Sequence, residues 1–563
     1  MELLHPGVYV REVPSTVFPI EGVSTSTAAF IGIADKGPVP GHILPTGTMA
    51  QPVLVTSVTD YSRQFGSFRT DSFLTYAVHA FFQNGGQHLY IVRIYPGPSG
   101  TVISGPSSLF PGIAGVAIGS GGSGFNVLAA NEGAWGNHIW VQIVPSSDGD
   151  TVNNFKLLVM YGLTQKEAQG NVVESYDSLT FQNSPSLLPG AISPGSYAVT
   201  AVNSRSEYIA ITNDFTASPA PMATPLNLAG GSDATLPVAT DFIGAPAVDN
   251  THTGTGLFAL DKITDVNIIA IPGQGDPFTV NSGMEYCKNE RPLQDCFFVG
   301  DVGSVADGSG VTQVPLARMN STAPSVVTIA DARNYATTGF SGTVLDKSAG
   351  DYGAIYFPWV YAPDPIGSGR NPTILLPLSG FVAGIYARTD GSRGVFKAPA
   401  GTEAGLAGVL APYREISDTE QDSLNPVMVN AIRTVPNSGL VVWGARTIGS
   451  DASWRYVPVR RIAIFLRVSI YYGIQWAVFE PNDEPLWAEL RLNIRAFMLT
   501  QFRAGAFQGS TPNDAFFVKC DSSTTTQQDI DNGVVNILVG FAPLKPAEFV
   551  VLQLSQKVNQ PTQ

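Results

Sequence analysis

The sequence predicts a multidomain protein of class α+β/α/β, in which an α/β layer is interrupted by a mostly β insertion and flanked by extended, strand-forming arms. Three observations carry this reading. Buried-strand runs alternate with helical stretches over residues 25–95, and the alternation resumes over 257–360. Between these stretches the texture changes to Gly, Ser and Pro with short alternating strands. Both ends, LLHPGVYVREVPSTVF at Leu3–Phe18 and FVVLQL at Phe549–Leu554, read as strands with free backbone groups.

A chain of 563 residues is too long for one small core and implies two to four domains. Only 13% of residues are charged against 44% apolar, where soluble domains average about 25% charged. Much of the surface is therefore uncharged, as expected where neighbours cover it. The net charge of −14, with no block of like charges, argues against nucleic acid as a direct partner. Three cysteines are too few for a disulfide framework, and no CxxC pair suggests a zinc site, so Cys287, Cys296 and Cys520 read as buried free thiols. The start at Met1 has no charged region followed by an apolar run, so no secretory signal is expected.

In chain order, residues 1–22 form the N-terminal arm, with Val8 and Val10 on one side of a strand and Tyr9 and Arg11 on the other. Residues 23–96 begin the α/β core. Thr25–Asp35 and Pro52–Val55 are strands, Asp60–Phe65 starts a helical turn, Ser72–Asn84 is a helix stopped by Gly85-Gly86, and Leu89–Tyr95 is the next strand. Residues 97–235 form the β-rich insertion, with strands at Ile139–Val144 and Phe155–Val159. Residues 236–445 resume the core. Leu257–Pro272 and Pro292–Asp301 each read as helix then buried strand, Ala354–Val360 as a strand and Ser379–Arg388 as a helix.

Residues 446–545 form the C-terminal domain, around which the rest of the chain is organised. A helix from about Val459 to Phe479 is apolar on nearly every side, from Ile462 to Tyr471 and Ile474. It is a central core helix, because Arg460, Arg461, Arg467 and Gln475 interrupt any membrane span. A second helix opens at Pro485 behind Asp483 and Glu484, which suit its positive end. Leu486, Leu490, Ile494 and Phe497 form its apolar face, with Arg491 and Arg495 together on the far side and Arg503 further round. Those arginines make either a solvated face or a docking face for an acidic partner. Strands follow at Phe516–Lys519 and Val534–Phe541, and Pro543 and Pro546 detach the C-terminal arm, residues 546–563.

Signals for chemistry are weak. No phosphate-binding loop, HExxH, GxSxG or EF-hand pattern occurs. Gly119, Gly121 and Gly124 have dinucleotide-loop spacing without the helix that should follow, so they read as a flexible loop. His79 reads as a packed or surface histidine. Asp261 and Asp265 lie one helical turn apart with nothing aiming them at a common site, and Asn320-Ser321-Thr322 matches a glycosylation pattern. No catalytic, cofactor or metal residue is expected.

Several segments together resemble the contractile tail sheath family of contractile phage tails and phage-tail-like injection systems. They are HPGVYVREV at His5–Val13, STAAFIGIADKGP at Ser26–Pro38, EGAWGNHIWVQI at Glu132–Ile143, LAGGSDA at Leu228–Ala234, ITDVNIIAIPG at Ile263–Gly273, GFVAGIYARTDGSRGVFKAPAG at Gly380–Gly401 and LNPVMVNAIRTVPNSGLVVWGART at Leu424–Thr447. They occur in family order over nearly the whole chain. The NSGL at Asn437–Leu440 departs from a wording that often carries a positive residue.

The resemblance implies a sheath-type α/β domain, an insertion facing outward and a C-terminal domain against a rigid inner tube. It implies stacked rings of this chain forming a helix, joined by arm strands at Val8, Tyr9, Val10 and Arg11 and at Phe549, Val550, Val551 and Leu552. Arg491, Arg495 and Arg503 would then face the tube. Further implied partners are baseplate and terminal cap proteins, with no direct nucleic acid and no membrane insertion. The role is mechanical rather than enzymatic, in a particle assembled in the host or producer cytoplasm. The alternative is a β-rich surface-binding protein or hydrolase using the insertion.

Overall fold

The computed structural model describes residues 19–97, 111–120, 123–149, 153–181, 196–212, 215, 217–233, 235, 237–303, 328–339 and 342–549. The expected arm strands Val8–Arg11 and Val550–Leu552 lie outside them, as do Gly121 and Asn320-Ser321-Thr322. The chain divides into two compact units, one of residues 24–460 and one that joins 461–563 to the first 23 residues.

The larger unit is built on an eight-stranded sheet. Its order is Gly439–Val442, Val429–Val435, Gly353–Phe357, Phe297–Asp301, Ile268–Ala270, Ala28–Gly32, Leu89–Arg93, Val53–Val55. The six inner strands are parallel, and the outermost strand at each edge is antiparallel. Ala28–Gly32, Ile268–Ala270, Phe297–Asp301 and Gly353–Phe357 are buried at every position. This is why they read as unbroken apolar runs: a parallel sheet is covered on both faces.

Two helices form a close-packed pair in this unit. Leu74–Gln83 stops where Gly85 takes φ +106°, and Ser379–Arg393 crosses it where side chains are smallest. A Cβ on Gly380 would stand 2.7 Å from the Ala77 Cα, and one on Gly384 2.6 Å from the Phe81 carbonyl oxygen. Asp301, at the end of its strand, is buried and accepts the Leu378 and Ser379 amides at 2.8 Å, the Gly273 amide at 3.0 Å and the Ser379 hydroxyl at 2.7 Å. It thereby holds the first turn of Ser379–Arg393 against the sheet.

The insertion leaves the sheet after Leu89–Arg93 and returns before Ile268–Ala270. It forms a three-stranded sheet of Gly115–Ile118, Phe125–Ala129 and Ile209–Ile211, and a five-stranded one centred on Ile139–Pro145, Asn154–Tyr161 and Val172–Thr180. The two share one apolar core, in which Phe125 stacks on Phe215 at 4.5 Å. Its root is fastened to the core by buried Arg93, which donates to the backbone oxygens of Ala34, Gly37 and Glu132. Arg69 adds ion pairs to Asp71 at 2.7 Å and Asp233 at 3.3 Å.

Several expectations are corrected. Pro292–Asp301 is not helix then strand: the helix is Pro277–Glu285, extended by one wider turn, and 292–293 form a turn. That helix starts with Pro277 in the first turn behind the capping Asp276. Ala354–Val360 is two strands, Gly353–Phe357 in the main sheet and Val360–Pro363 in a small antiparallel one. Asp261 and Asp265 form no pair, because Asp261 ends a short 3-10 turn and accepts from Tyr286, while Asp265 accepts from Tyr90. The first C-terminal helix spans Val457–Gly473 rather than 459–479, and Tyr471 is exposed rather than core, as is the neighbouring Tyr472. Residues 446–460 fold with the larger unit, where Thr447 and Arg446 bond to Arg455 and Asn430.

Candidate assembly surface

In the smaller unit, the helix beginning at Val457 is covered along one side by the stretch Ile20–Val23. The Val23 amide donates to the buried Ser469 hydroxyl at 3.1 Å. Gly22 and Gly473 allow the approach, since a Cβ on either would come within 2.8 Å of Phe465 or Ile20. The second helix, Glu484–Arg503, starts as its sequence indicates, with Asp483 accepting from the Leu486 amide and Pro485 in the first turn. Leu486, Leu490, Ile494 and Phe497 are buried as expected.

The arginines of this helix separate. Arg491 donates to Glu484 at 2.7 Å and to the Cys520 carbonyl, and the hydrogen bond to Glu484 holds its pKa above the usual guanidinium value. Arg495 donates to Asn513 at 3.1 Å and lies over the Phe516 ring. Both therefore tie the helix to the segment that follows. Arg503 is exposed in the last turn, where a cation suits the negative helix end.

That following segment forms an antiparallel pair, Phe516–Lys519 with Leu538–Phe541, and no third strand joins it among the described residues. Alternation gives the pair two unlike faces. Phe507 packs against Phe516 and Phe541 on one, whereas Phe517 and Leu538 are exposed on the other, with Phe517 lying over Gly540. Phe549, the one expected arm-strand residue among those described, is 76% exposed.

Exposed apolar side chains concentrate here. Of 21 large hydrophobic residues exposed among the described residues, ten lie in 471–549, including Tyr471, Tyr472, Phe479 and Leu492. Sequence reading missed these because an apolar residue on a helix or in a connector looks the same whether a core or another molecule covers it. The only available signal was the low charge of the whole chain. The three cysteines are buried and unpaired. Among the described residues no His, Cys, Asp or Glu cluster could hold a metal ion, and no helix is long and apolar enough to cross a membrane.

An open two-stranded sheet beside a concentrated apolar surface has the chemistry to pair with further strands. Residues 322–448 match the phage tail sheath protein central domain and residues 449–557 the phage tail sheath C-terminal domain. Over residues 322–557 the chain is therefore similar to tail sheath proteins. The chain is 27% identical over 183 residues to a putative prophage major tail sheath protein of Pseudomonas aeruginosa, an alignment covering 32% of this chain. It spans 46% of that relative's length. Its fold matches the sheath of an extracellular contractile injection system, PVC, in the contracted state, with TM-score 0.55 and 21% identity over 99% of both chains. It also matches the contracted helical sheath of the anti-feeding prophage, with TM-score 0.52 and 20% identity over 98% of this chain and 99% of the other.

Proposed function

We propose that the chain is the subunit of a contractile sheath. It polymerises helically around a rigid inner tube, is held in an extended state, and contracts to drive the tube through a target envelope. The observation that carries this reading is the open pair Phe516–Lys519 and Leu538–Phe541. A two-stranded sheet alone is marginally stable, and its outer edges leave backbone donors and acceptors for strands from elsewhere. The arm strands at Val8, Tyr9, Val10 and Arg11 and at Phe549, Val550, Val551 and Leu552 have the pattern to fill those edges on neighbouring copies. Such strand exchange keeps the mesh joined while subunits turn past one another.

In this reading residues 461–545 form the inner domain and residues 97–235 the outer one, with residues 1–22 and 546–563 as arms. Arg495 and Arg503 present positive charge to the tube, and Arg491 supports them by fixing the helix. Baseplate and cap proteins close the two ends of the polymer, which assembles in the cytoplasm of the producing cell. The work is mechanical and needs no reaction. Packed interfaces switch between discrete arrangements, so a small free-energy drop per subunit adds up over a cooperative wave.

Negative-stain microscopy of the full chain at high concentration tests the reading. Hollow striated cylinders are expected, with folded but dispersed protein when residues 1–18 or 547–563 are removed. Dispersed wild-type protein, even with a tube protein added, would overturn the proposal. Changing Arg495 and Arg503 to Glu is expected to abolish co-sedimentation with tube while self-assembly persists; unchanged co-sedimentation would remove the tube-facing role.

A further inference from the structure

The turn between the two C-terminal helices projects one aromatic ring into solvent. Phe479 is 103% exposed and its backbone sits at φ +73°, a region that bulky residues rarely adopt. Among the described residues it is the only aromatic with positive φ. The turn beneath it is nonetheless firmly built. The Glu480 amide bonds the Ala477 carbonyl at 3.2 Å, the Asn482 side chain donates to the Val534 carbonyl at 3.1 Å, and the Trp487 indole donates to Asn482 at 2.9 Å. A strained backbone held this way, with the ring left outside, points to a role in contact with another surface. Its surroundings are acidic: Glu480 and Asp483 adjoin it, and no Lys or Arg occurs between Arg467 and Arg491.

The larger unit carries a cavity of complementary character, about 380 Å³ in volume. The Arg460 guanidinium forms its floor, 3.8 Å from the centre of the Trp454 ring and 4.5 Å from that of Tyr352, and paired with Asp351. Lys288, also bonded to Asp351, and the exposed Lys347 line it. Three cations line it against two carboxylates, Asp351 and Asp451, an excess of positive charge that stands out in a chain with 31 Lys and Arg among 563 residues.

We infer that Phe479 of one copy seats in the Lys288–Lys347–Arg460 cavity of a second copy of this chain, with Glu480 meeting Lys347. An aromatic ring over a cation-bearing floor gains both apolar burial and cation–π attraction. Rigid aromatic anchors in desolvated pockets carry much of the affinity of protein interfaces. Because knob and cavity are different surfaces, the contact is head-to-tail and propagates as an open helix rather than closing as a dimer. The inference rests on the reading that copies of this chain assemble, and adds a side-chain contact distinct from strand exchange.

Full-length Phe479→Cys and Lys347→Cys proteins, mixed and oxidised with copper–phenanthroline, test it, since the three natural cysteines are buried. The mixed disulfide dimer is expected to exceed either same-variant dimer at least tenfold, and Glu480→Lys on the Phe479→Cys protein is expected to cut its yield severalfold. Same-variant dimers in equal amount, or no cross-link, would overturn the inference. Phe479→Gly, which relieves the backbone, is expected to raise the unfolding temperature while raising the concentration needed for assembly tenfold. Unchanged assembly would likewise overturn it. Wild-type cylinders without the cross-link would leave the sheath reading standing and remove this contact; the cross-link without cylinders would do the reverse.

Discussion

Burial sets the charge preference of His79. Its ring packs on Phe68 at 4.6 Å in the helix Leu74–Gln83, and desolvation lowers its pKa below the ordinary 6.5. The folded chain then binds a proton less readily than the unfolded one, so the stability from neutral His79 is present above pH 6.5 and lost as pH falls through the lower folded value. Unfolding free energy measured in urea is expected to decline from pH 7 to pH 5, and His79→Phe is expected to flatten that decline. Equal slopes for the two proteins would count against this assignment. The arginines show how far single residues could be read. That Arg491 and Arg495 share a side of their helix follows from spacing, but their partners, Cys520 and Asn513, lie further along the chain and only the fold brings them in. Arg491→Ala is accordingly expected to lower the unfolding temperature by a few degrees, and Arg503→Gln, which removes only an exposed helix-end charge, to lower it less; calorimetry separates the two.

At the scale of elements, the helix Glu484–Arg503 carries an unusual cost. Asn493 is 1% exposed, and neither amide atom has a hydrogen-bond partner among the described residues. A buried amide left unpaired costs about 1–3 kcal/mol, so Asn493→Leu, of similar volume, is expected to stabilise the protein by that order in denaturant titration. A loss of stability would mean that the amide has a partner in solution. Element identity was legible where local signals were complete. Phe516–Lys519 has matching bounds because its four residues follow a proline-led turn and alternate in burial. The start of Glu484–Arg503 was legible from Asp483 and Pro485. The end of Val457–Gly473 was not, since apolar residues continue through Ile474 and Val478 and the close packing of Gly473 on Ile20 is a non-local event.

Across the whole molecule, sparse charge and abundant exposed apolar surface determine what should hold an assembly together. Apolar burial and strand pairing are little affected by salt, while exposed ion pairs are screened over about 10 Å at 0.1 M and about 3 Å at 1 M. The concentration needed for assembly is therefore expected to change less than about threefold between these salt levels, as read by sedimentation; disassembly at 1 M would point to charge as the main cement. The α/β layer and its interruption were legible because buried parallel strands are continuous apolar runs. The strand order was not, because it depends on crossovers that leave no local mark. In that order, Leu89–Arg93 and Ile268–Ala270 flank the same strand, Ala28–Gly32, on opposite sides. The inserted residues 97–235 nonetheless begin and end side by side, because the Thr235 amide donates to the Gly97 carbonyl at 3.0 Å. A port this narrow makes the outer module exchangeable: a short linker, a different domain or a foreign epitope could occupy the same gap without altering the register of any core strand.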